Sequence, residues 1–168
     1  SAYIFVRSDT TWTQQAKLTA SDAAAGDEFG YSVSIDGDYA IVGSTGDDDD
    51  GSDSGSAYIF VRSGTNWTEQ AKLTASDANA ADEFGISVSI DGDYAIVGAH
   101  GVNDYTGTAY IFKRDSAAWT QQAKLTAADA AEDHEFGNSV SIDGDYAIVG
   151  DYGVNDYTGA AYIFKRDG

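Results

Sequence analysis

The stretch FGISVSIDGDYAIVG, residues 84–98, decides how this chain folds. From Phe84 to Ile90, apolar residues alternate with Gly or Ser, and this period of two predicts a β-strand. The Asp91-Gly92 dipeptide that follows is typical of a tight hairpin turn. Residues 94–98 are apolar on both faces and predict a second, buried strand. The stretch therefore predicts a β-hairpin within a larger sheet.

This hairpin recurs along the chain. The Phe-Gly pairs begin at Phe29, Phe84 and Phe136, which are 55 and 52 residues apart. Ala-Tyr-Ile-Phe occurs four times, and its copies begin at residues 2, 57, 109 and 161. A fixed step of this length is the signature of a repeat protein. Three tryptophans keep the same steps, so we expect them to occupy equivalent positions: Trp12, Trp67 and Trp119.

Each repeat contains four candidate strands, which we name A to D. In one copy, strand A covers 84–90, strand B 94–98, strand C 109–112 and strand D 119–126. Strands B and C are apolar on both faces, whereas strand D alternates polar and apolar residues as a half-exposed outer strand does. No segment sustains a helical period, so we expect no helix of three or more turns. The sequence predicts an all-β fold of β-propeller blades, which are tandem four-stranded antiparallel sheets.

The strand count suggests about three blades plus one extra strand. We expect a single propeller segment over 1–168, with strands C and D in 1–21, a blade in 29–76, a blade in 84–127 and strands A to C in 136–166. Propellers usually close with about four to eight blades. We therefore expect the partners of this chain to include other copies of itself or further blades of a parent chain.

The composition narrows the possible partners and compartments. The chain has 28 acidic residues against nine basic ones, a formal charge of −19 that disfavours binding to nucleic acid. It has no Cys, and no apolar run reaches the roughly 20 residues of a membrane span. Such acidity suits a salty medium, so we expect an extracellular or cell-surface location.

The repeated motifs resemble a known family. Each unit reads an acidic residue, Phe-Gly, Ser-Val-Ser-Ile, Asp-Gly-Asp, Ile-Val-Gly and Ala-Tyr-Ile-Phe, and this order resembles the FG-GAP repeat of integrin-like propellers, in the form found in bacterial secreted and surface proteins. The resemblance implies a calcium loop between strands A and B. Here that loop is cut to Asp-Gly-Asp, and calcium needs roughly six to eight oxygen ligands. We therefore expect these turns to hold no calcium.

A longer loop offers a different candidate metal site. The loop between strands B and C of the first repeat is three residues longer than its counterparts and carries four candidate ligands: Asp47, Asp49, Asp50 and Asp53. Carboxylates spaced around a Gly can wrap calcium, which is the cofactor that this loop would take. A solvated run of charge is the other interpretation of the same residues.

The other two B–C loops carry a different set of side chains. Each presents Asn, Asp and Tyr, a combination that suits recognition of a sugar or a protein: Asn103, Asp104 and Tyr105, and Asn155, Asp156 and Tyr157. A turn built on Asn-Asp explains the same residues without a ligand.

The loops also segregate charge. In an up-and-down blade the B–C and D–A loops share one rim, and these loops hold 18 of the 28 acidic residues and none of the basic ones. The two histidines, His100 and His134, are too few for a zinc site. Repeats also dilute the unique constellation that catalysis needs, so we expect no enzyme activity.

Two hypotheses about function follow. The first is a non-enzymatic extracellular or cell-surface module for adhesion or ligand binding, in which cations bridge the acidic rim to a protein or glycan. The alternative is a structural subunit of a larger propeller, ring or filament that is joined through open blade ends.

Overall fold

The computed structural model describes residues 1–166 and is built almost entirely from strands. Two four-residue segments, α1 (Val102–Tyr105) and α2 (Val154–Tyr157), form helix-like turns in loops, with left-handed residues at their centres, and no longer helix occurs in residues 1–166. The strands are β1 (Ala2–Ser8), β2 (Thr11–Leu18), β3 (Val33–Asp36), β4 (Tyr39–Ser44), β5 (Ser56–Ser63), β6 (Asn66–Leu73), β7 (Ser87–Asp91), β8 (Tyr94–Ala99), β9 (Thr108–Asp115), β10 (Ala118–Leu125), β11 (Phe136–Asp143), β12 (Tyr146–Asp151) and β13 (Ala160–Lys165).

These strands form four antiparallel sheets in which chain neighbours are hydrogen-bonded neighbours. We call them the N-terminal sheet (β1–β2), the first blade (β3–β6), the second blade (β7–β10) and the C-terminal sheet (β11–β13). The prediction of an all-β fold of four-stranded propeller blades is confirmed. That residues 1–168 form one propeller segment with the stated subdivisions stays a prediction.

The tryptophans occupy equivalent positions, as their spacing predicted. Each pairs across a C–D hairpin with an arginine in the same register: Trp12 with Arg7, Trp67 with Arg62 and Trp119 with Arg114. The indole Nε1 of Trp67 donates to the side chain of Gln15 in the preceding sheet at 3.1 Å. The tryptophan at this position therefore forms a hydrogen bond to the preceding sheet.

Strand A differs from its predicted bounds in the two four-stranded blades. In the C-terminal sheet it begins at Phe136 as predicted, and an irregularity at Gly137 lies inside it. In the second blade the regular ladder begins at Ser87 rather than Phe84, because the equivalent Gly85, with a φ of +97°, interrupts it. Phe84 forms a parallel bridge with Gly55 of the first blade instead. In this blade the Phe-Gly pair therefore precedes strand A and takes part in the contact between blades.

Glycines lie on both sides of this contact between blades, where the two backbones are too close for a Cβ. A Cβ added to Gly43 would lie 2.0 Å from the carbonyl oxygen of Gly85, and one added to Gly85 would lie 2.4 Å from the carbonyl oxygen of Ser56. Phe84 is fully buried, and its ring packs against Tyr110 and Phe112 at centroid distances of 5.6 and 5.9 Å. The core thus lies between blades as well as within them.

Near both ends of the array the same apolar residues lack cover, beside the two-stranded N-terminal sheet and on the C-terminal sheet. Val33 and Ile35 of β3 are 61% and 57% exposed, whereas the equivalent Val88 and Ile90 of β7 are 8% and 5% exposed. At the other end Ile163 is 70% exposed, whereas its equivalent Ile59 is completely buried.

Candidate functional site

The loops gather at one edge of the sheets. Because each sheet is up-and-down, the B–C and D–A loops emerge on the same side, and we call this surface the loop rim: residues 19–32, 45–55, 74–86, 100–107, 126–135 and 152–159. The tight A–B and C–D turns lie at the opposite edge, which we call the turn rim.

Five of the six acidic residues in the A–B turns have partners in the chain. Asp36 accepts a hydrogen bond from the backbone N–H of Gly92 in the next blade at 2.9 Å. The second acid of each turn pairs with an arginine of its own sheet: Asp38 with Arg62, Asp93 with Arg114 and Asp145 with Arg166. These carboxylates fix the turns, and the absence of calcium from them stays a prediction.

On the loop rim, the structure brings together two of the four predicted metal ligands and adds a third. Carboxylate oxygens of Asp22, Asp47 and Asp49 lie within 4.8 Å of one another, a spacing that could hold a metal ion. Sequence reasoning missed Asp22 because it comes from the D–A loop before the first blade, 25 residues from Asp47. The repeating Asp at this loop position, Asp22, Asp77 and Asp129, was the signal that could have found it.

A lysine side chain occupies the centre of this triad. Lys72 Nζ lies 2.8 Å from Asp22 Oδ2, 2.9 Å from Asp47 Oδ2 and 2.6 Å from Asp49 Oδ2. Tyr58 adds a hydroxyl whose oxygen lies 2.9 Å from both Asp22 Oδ1 and Asp47 Oδ2, so its one proton is donated to either carboxylate. The triad is therefore part of a hydrogen-bonded network that includes a cation of the chain itself.

The network shifts the pKa values of its members. A hydrogen bond from Lys72 is the largest cause that lowers the pKa of Asp22 below its ordinary value of 3.8. Burial alone would raise the pKa of Asp47, but hydrogen bonds from Lys72, Tyr58 and Ser56 outweigh it and lower the pKa. Burial likewise opposes the charge on Lys72, but its bonds to the three carboxylates raise its pKa above the ordinary 10.5. The ionised forms are therefore the stable ones.

The other two predicted metal ligands lie elsewhere. Asp50 is exposed, and its backbone N–H donates to the hydroxyl of Ser54 at 3.3 Å. Asp53 is one of the residues around an open cleft of about 410 Å³ between the first two blades, together with Glu28, Tyr31, Thr45, Gly46 and Glu83. Of the acids in the longer loop, Asp47 and Asp49 thus lie at the triad, whereas Asp53 lies at the cleft.

The predicted ligand residues form two similar turns on the loop rim. Asn103, Asp104 and Tyr105 all have φ between +52° and +57°, and Asn155, Asp156 and Tyr157 repeat this left-handed conformation. The carbonyl of Tyr105 accepts a hydrogen bond from the N–H of Glu135 in the next sheet at 2.7 Å. Left-handed backbone is costly for residues other than Gly, and this contact helps to hold the first turn. The second turn keeps the same shape with hydrogen bonds inside residues 153–159.

Tyrosine side chains project from these turns into solvent. Tyr105 and Tyr157 are 41% and 62% exposed. The ring of Tyr157 packs against Tyr152, which is also exposed, with centroids 5.2 Å apart. Tyr152 was not predicted because the equivalent positions hold Thr45 and His100, so no repeat marked it.

Basic side chains reach the loop rim from the strands. Lys72 enters the triad described above, and Lys124 pairs with Asp77 at 2.6 Å. The rim is therefore less acidic than its loop sequences alone predict. His100 also lies there, 2.8 Å from Glu83 and 3.5 Å from Glu135, and bridges two neighbouring sheets.

Comparison with known families places these features in context. A family model, the FG-GAP repeat, matches residues 12–60, 67–112 and 119–164, which together exceed four fifths of the chain. The chain belongs to the FG-GAP repeat family. Each FG-GAP match begins in strand D of one sheet and ends in strand C of the next, so the FG-GAP unit and the structural blade are offset by one strand. None of the curated proteins compared with this FG-GAP chain matches it.

Membership of the FG-GAP repeat family indicates the general class of this module. FG-GAP repeats are typical of β-propeller-like modules, which are often extracellular and typically non-enzymatic. Within residues 1–166, none of the helices has the length and apolar character needed to cross a bilayer.

The lowered pKa values predict a pH-dependent stability. Because the folded-state pKa of Asp47 lies below 3.8, its contribution is present above that pH and is lost as the pH falls through the folded pKa. We expect Asp47→Asn to lower the free energy of unfolding by about 1–3 kcal/mol at pH 7 and by less at pH 3. Urea unfolding followed by tryptophan fluorescence measures both values. Asp50→Asn in the same loop serves as the control and should have little effect, and equal losses from Asp47→Asn at the two pH values would contradict the assignment.

Proposed function

We propose that this chain is a non-enzymatic module, outside the cell or at its surface, that binds a protein or glycan through the loop rim. The observation that carries the proposal is the pair of left-handed turns that hold Tyr105 and Tyr157 in solvent on the same rim. By contrast, the strand C tyrosines of the two four-stranded blades, Tyr58 and Tyr110, are completely buried.

The chemistry of these turns suits recognition. A tyrosine ring offers a large contact area that loses little conformational entropy on binding, and its hydroxyl forms hydrogen bonds. Asn103 and Asn155 add amide donors and acceptors beside each ring, and neighbouring carboxylates add acceptors for hydroxyl or ammonium groups. A sugar face or a basic protein surface would meet this combination. Cations would strengthen the contact with an acidic partner by reducing repulsion from the rim.

The histidines support a non-enzymatic role. His100 lies between two glutamates, and His134 Nδ1 lies 3.5 Å from Asp151, whose pKa is raised by burial. Each histidine occurs in one repeat, and His100 joins the loops of two sheets, whereas His134 lies beside a carboxylate of its own sheet. These contacts fit a structural use of both residues.

The rim tyrosines provide the test of this proposal. Using a glycan array and a panel of immobilised extracellular glycoproteins as probes, in calcium and in EDTA, we expect a binder whose affinity falls at least about tenfold in the double variant Tyr105→Ala, Tyr157→Ala. Tyr146→Ala is the matched control because Tyr146 is 53% exposed at the turn rim. Undiminished binding by the double variant, or equal loss in the control, would refute binding through the loop rim.

A second candidate function rests on a different observation. The exposed Val33, Ile35 and Ile163 occupy positions that are buried between blades elsewhere in the chain. Burial of apolar surface stabilises by about 25 cal/mol per Å², so these faces favour contact with a further blade. We propose as the alternative that the chain is a structural part of a larger propeller, ring or filament, joined through these faces to other copies or to further blades of a longer polypeptide.

Light scattering over a concentration series tests this alternative. If the faces pack against those of other copies, the mass should rise above 17.7 kDa with concentration, and Ile163→Lys should shift the rise to at least about tenfold higher concentration. Thr120→Lys, on the exposed side of β10, is the control and should leave the association unchanged. A monomer at every concentration would exclude assembly of copies and leave only contact with further blades of a longer polypeptide for these faces.

A further inference from the structure

The Lys72 ammonium is fully coordinated by the chain. An ammonium group has three N–H donors and no acceptor. Its three partners lie in three directions, one oxygen each from Asp22, Asp47 and Asp49, at 2.6 to 2.9 Å. The Tyr58 ring also lies under the ammonium, 5.3 Å from Nζ to the ring centroid. Donors and acceptors therefore match without any other cation.

The second oxygen of Asp47, the most buried carboxylate of the triad, also has hydrogen-bond partners. Asp47 Oδ1 accepts hydrogen bonds from the hydroxyl of Ser56 at 2.9 Å and from the N–H of Asp49 at 3.3 Å. The side chain of Asp47 is 5% exposed, so this acid depends on the protein to satisfy it. A buried carboxylate without such partners would be strongly unfavourable.

The second blade supplies an internal comparison. Lys124 and Tyr110 are the counterparts of Lys72 and Tyr58, and both contact Asp77, at 2.6 and 3.0 Å. The residue at the position of Asp47 is Val102, which is buried. Among residues 1–166, Lys124 therefore meets a single carboxylate, whereas Lys72 meets three. The two extra acids come with the longer loop of the first blade.

This arrangement does not fit a calcium ion as it stands. Calcium takes six to eight oxygen ligands at about 2.3–2.6 Å, and the place where the three carboxylates converge is taken by Lys72 Nζ. A divalent ion there would have to displace the lysine, and the two cations would repel each other at close range. The cation that the longer loop suggests is thus supplied by the chain.

We propose that Lys72 is the resident cation of the longer loop, that it makes the loop independent of calcium, and that removal of its charge converts the same carboxylates into a divalent-cation site. The inference goes beyond rim binding, because it concerns how the loop is held and which ion it accepts. It also assigns Lys72 the role of joining the D–A loop at Asp22 to the B–C loop at Asp47.

The test compares Lys72→Met with the wild type and with Lys124→Met. Met keeps most of the length of Lys and removes its charge, and Lys124→Met makes the same change where one carboxylate is present. Each protein is titrated with terbium, whose emission Tyr58 can sensitise, and then with calcium as the competitor. Thermal unfolding is measured in EDTA and in 10 mM calcium.

We expect calcium to leave the Tm of the wild type and of Lys124→Met unchanged and to raise the Tm of Lys72→Met by at least about 3 °C. Terbium emission that calcium displaces should appear in Lys72→Met and disappear when Asp22, Asp47 and Asp49 are also changed to Asn. That quadruple variant separates this loop from the other acidic residues of the rim.

Three results would overturn the proposal. They are calcium-displaceable terbium emission in the wild type that Asp49→Asn abolishes, the same calcium response in Lys124→Met, or no response in Lys72→Met. If Lys72→Met is unfolded in EDTA, folding on addition of calcium supports the proposal. If it stays unfolded in both, Lys72→Gln is measured by the same criterion.

Discussion

The backbone contact between each Phe-Gly pair and the sheet before it determines how the blades stack. The N–H of Phe84 donates to the carbonyl of Ser54 at 3.0 Å, and the hydroxyl of Ser32 donates to the carbonyl of Gly85 at 2.7 Å. These bonds form only because Gly43 and Gly85 bring the two backbones closer than any Cβ allows. The same contact recurs at Phe136, so one motif sets the spacing of successive sheets.

This stacking also builds the loop rim. Once the Phe-Gly pair fixes a D–A loop against the preceding blade, its N–H groups meet the carbonyls of the neighbouring B–C loop, as Glu83 meets Asp53 at 3.0 Å. The turn that exposes Tyr105 is held in the same way by Glu135. Contacts between repeats therefore help to hold the turn of Tyr105, whereas the turn of Tyr157 has the same shape with hydrogen bonds inside residues 153–159.

The sequence predicted what is local and missed what is assembled across sheets. Alternation and the Asp-Gly turns identified the strands, and the fixed step made Trp67 and Trp119 equivalent. In the two four-stranded blades the start of strand A was placed too early, because period-two alternation does not reveal the positive φ of Gly30 and Gly85, whereas β11 begins at Phe136 as predicted. Asp47 and Asp49 were grouped with Asp53 by proximity in sequence, but the fold groups them with Asp22 and Lys72, which lie far away in the chain. The position of Lys72 in its strand does not indicate that its long side chain extends to the carboxylates of the loop rim.

The most direct test of this account compares two glycine substitutions by urea unfolding. Gly85 has φ +97° and no room for a Cβ, whereas Gly92 has φ +55° and nothing within 4 Å of an added Cβ. If the close approach of the backbones sets the stacking, Gly85→Ala should cost at least about 3 kcal/mol of unfolding free energy, from backbone strain and displacement of the first blade. Gly92→Ala should cost about 1 kcal/mol, from the left-handed backbone alone. Equal losses in the two variants would contradict the central role of the Phe-Gly contact.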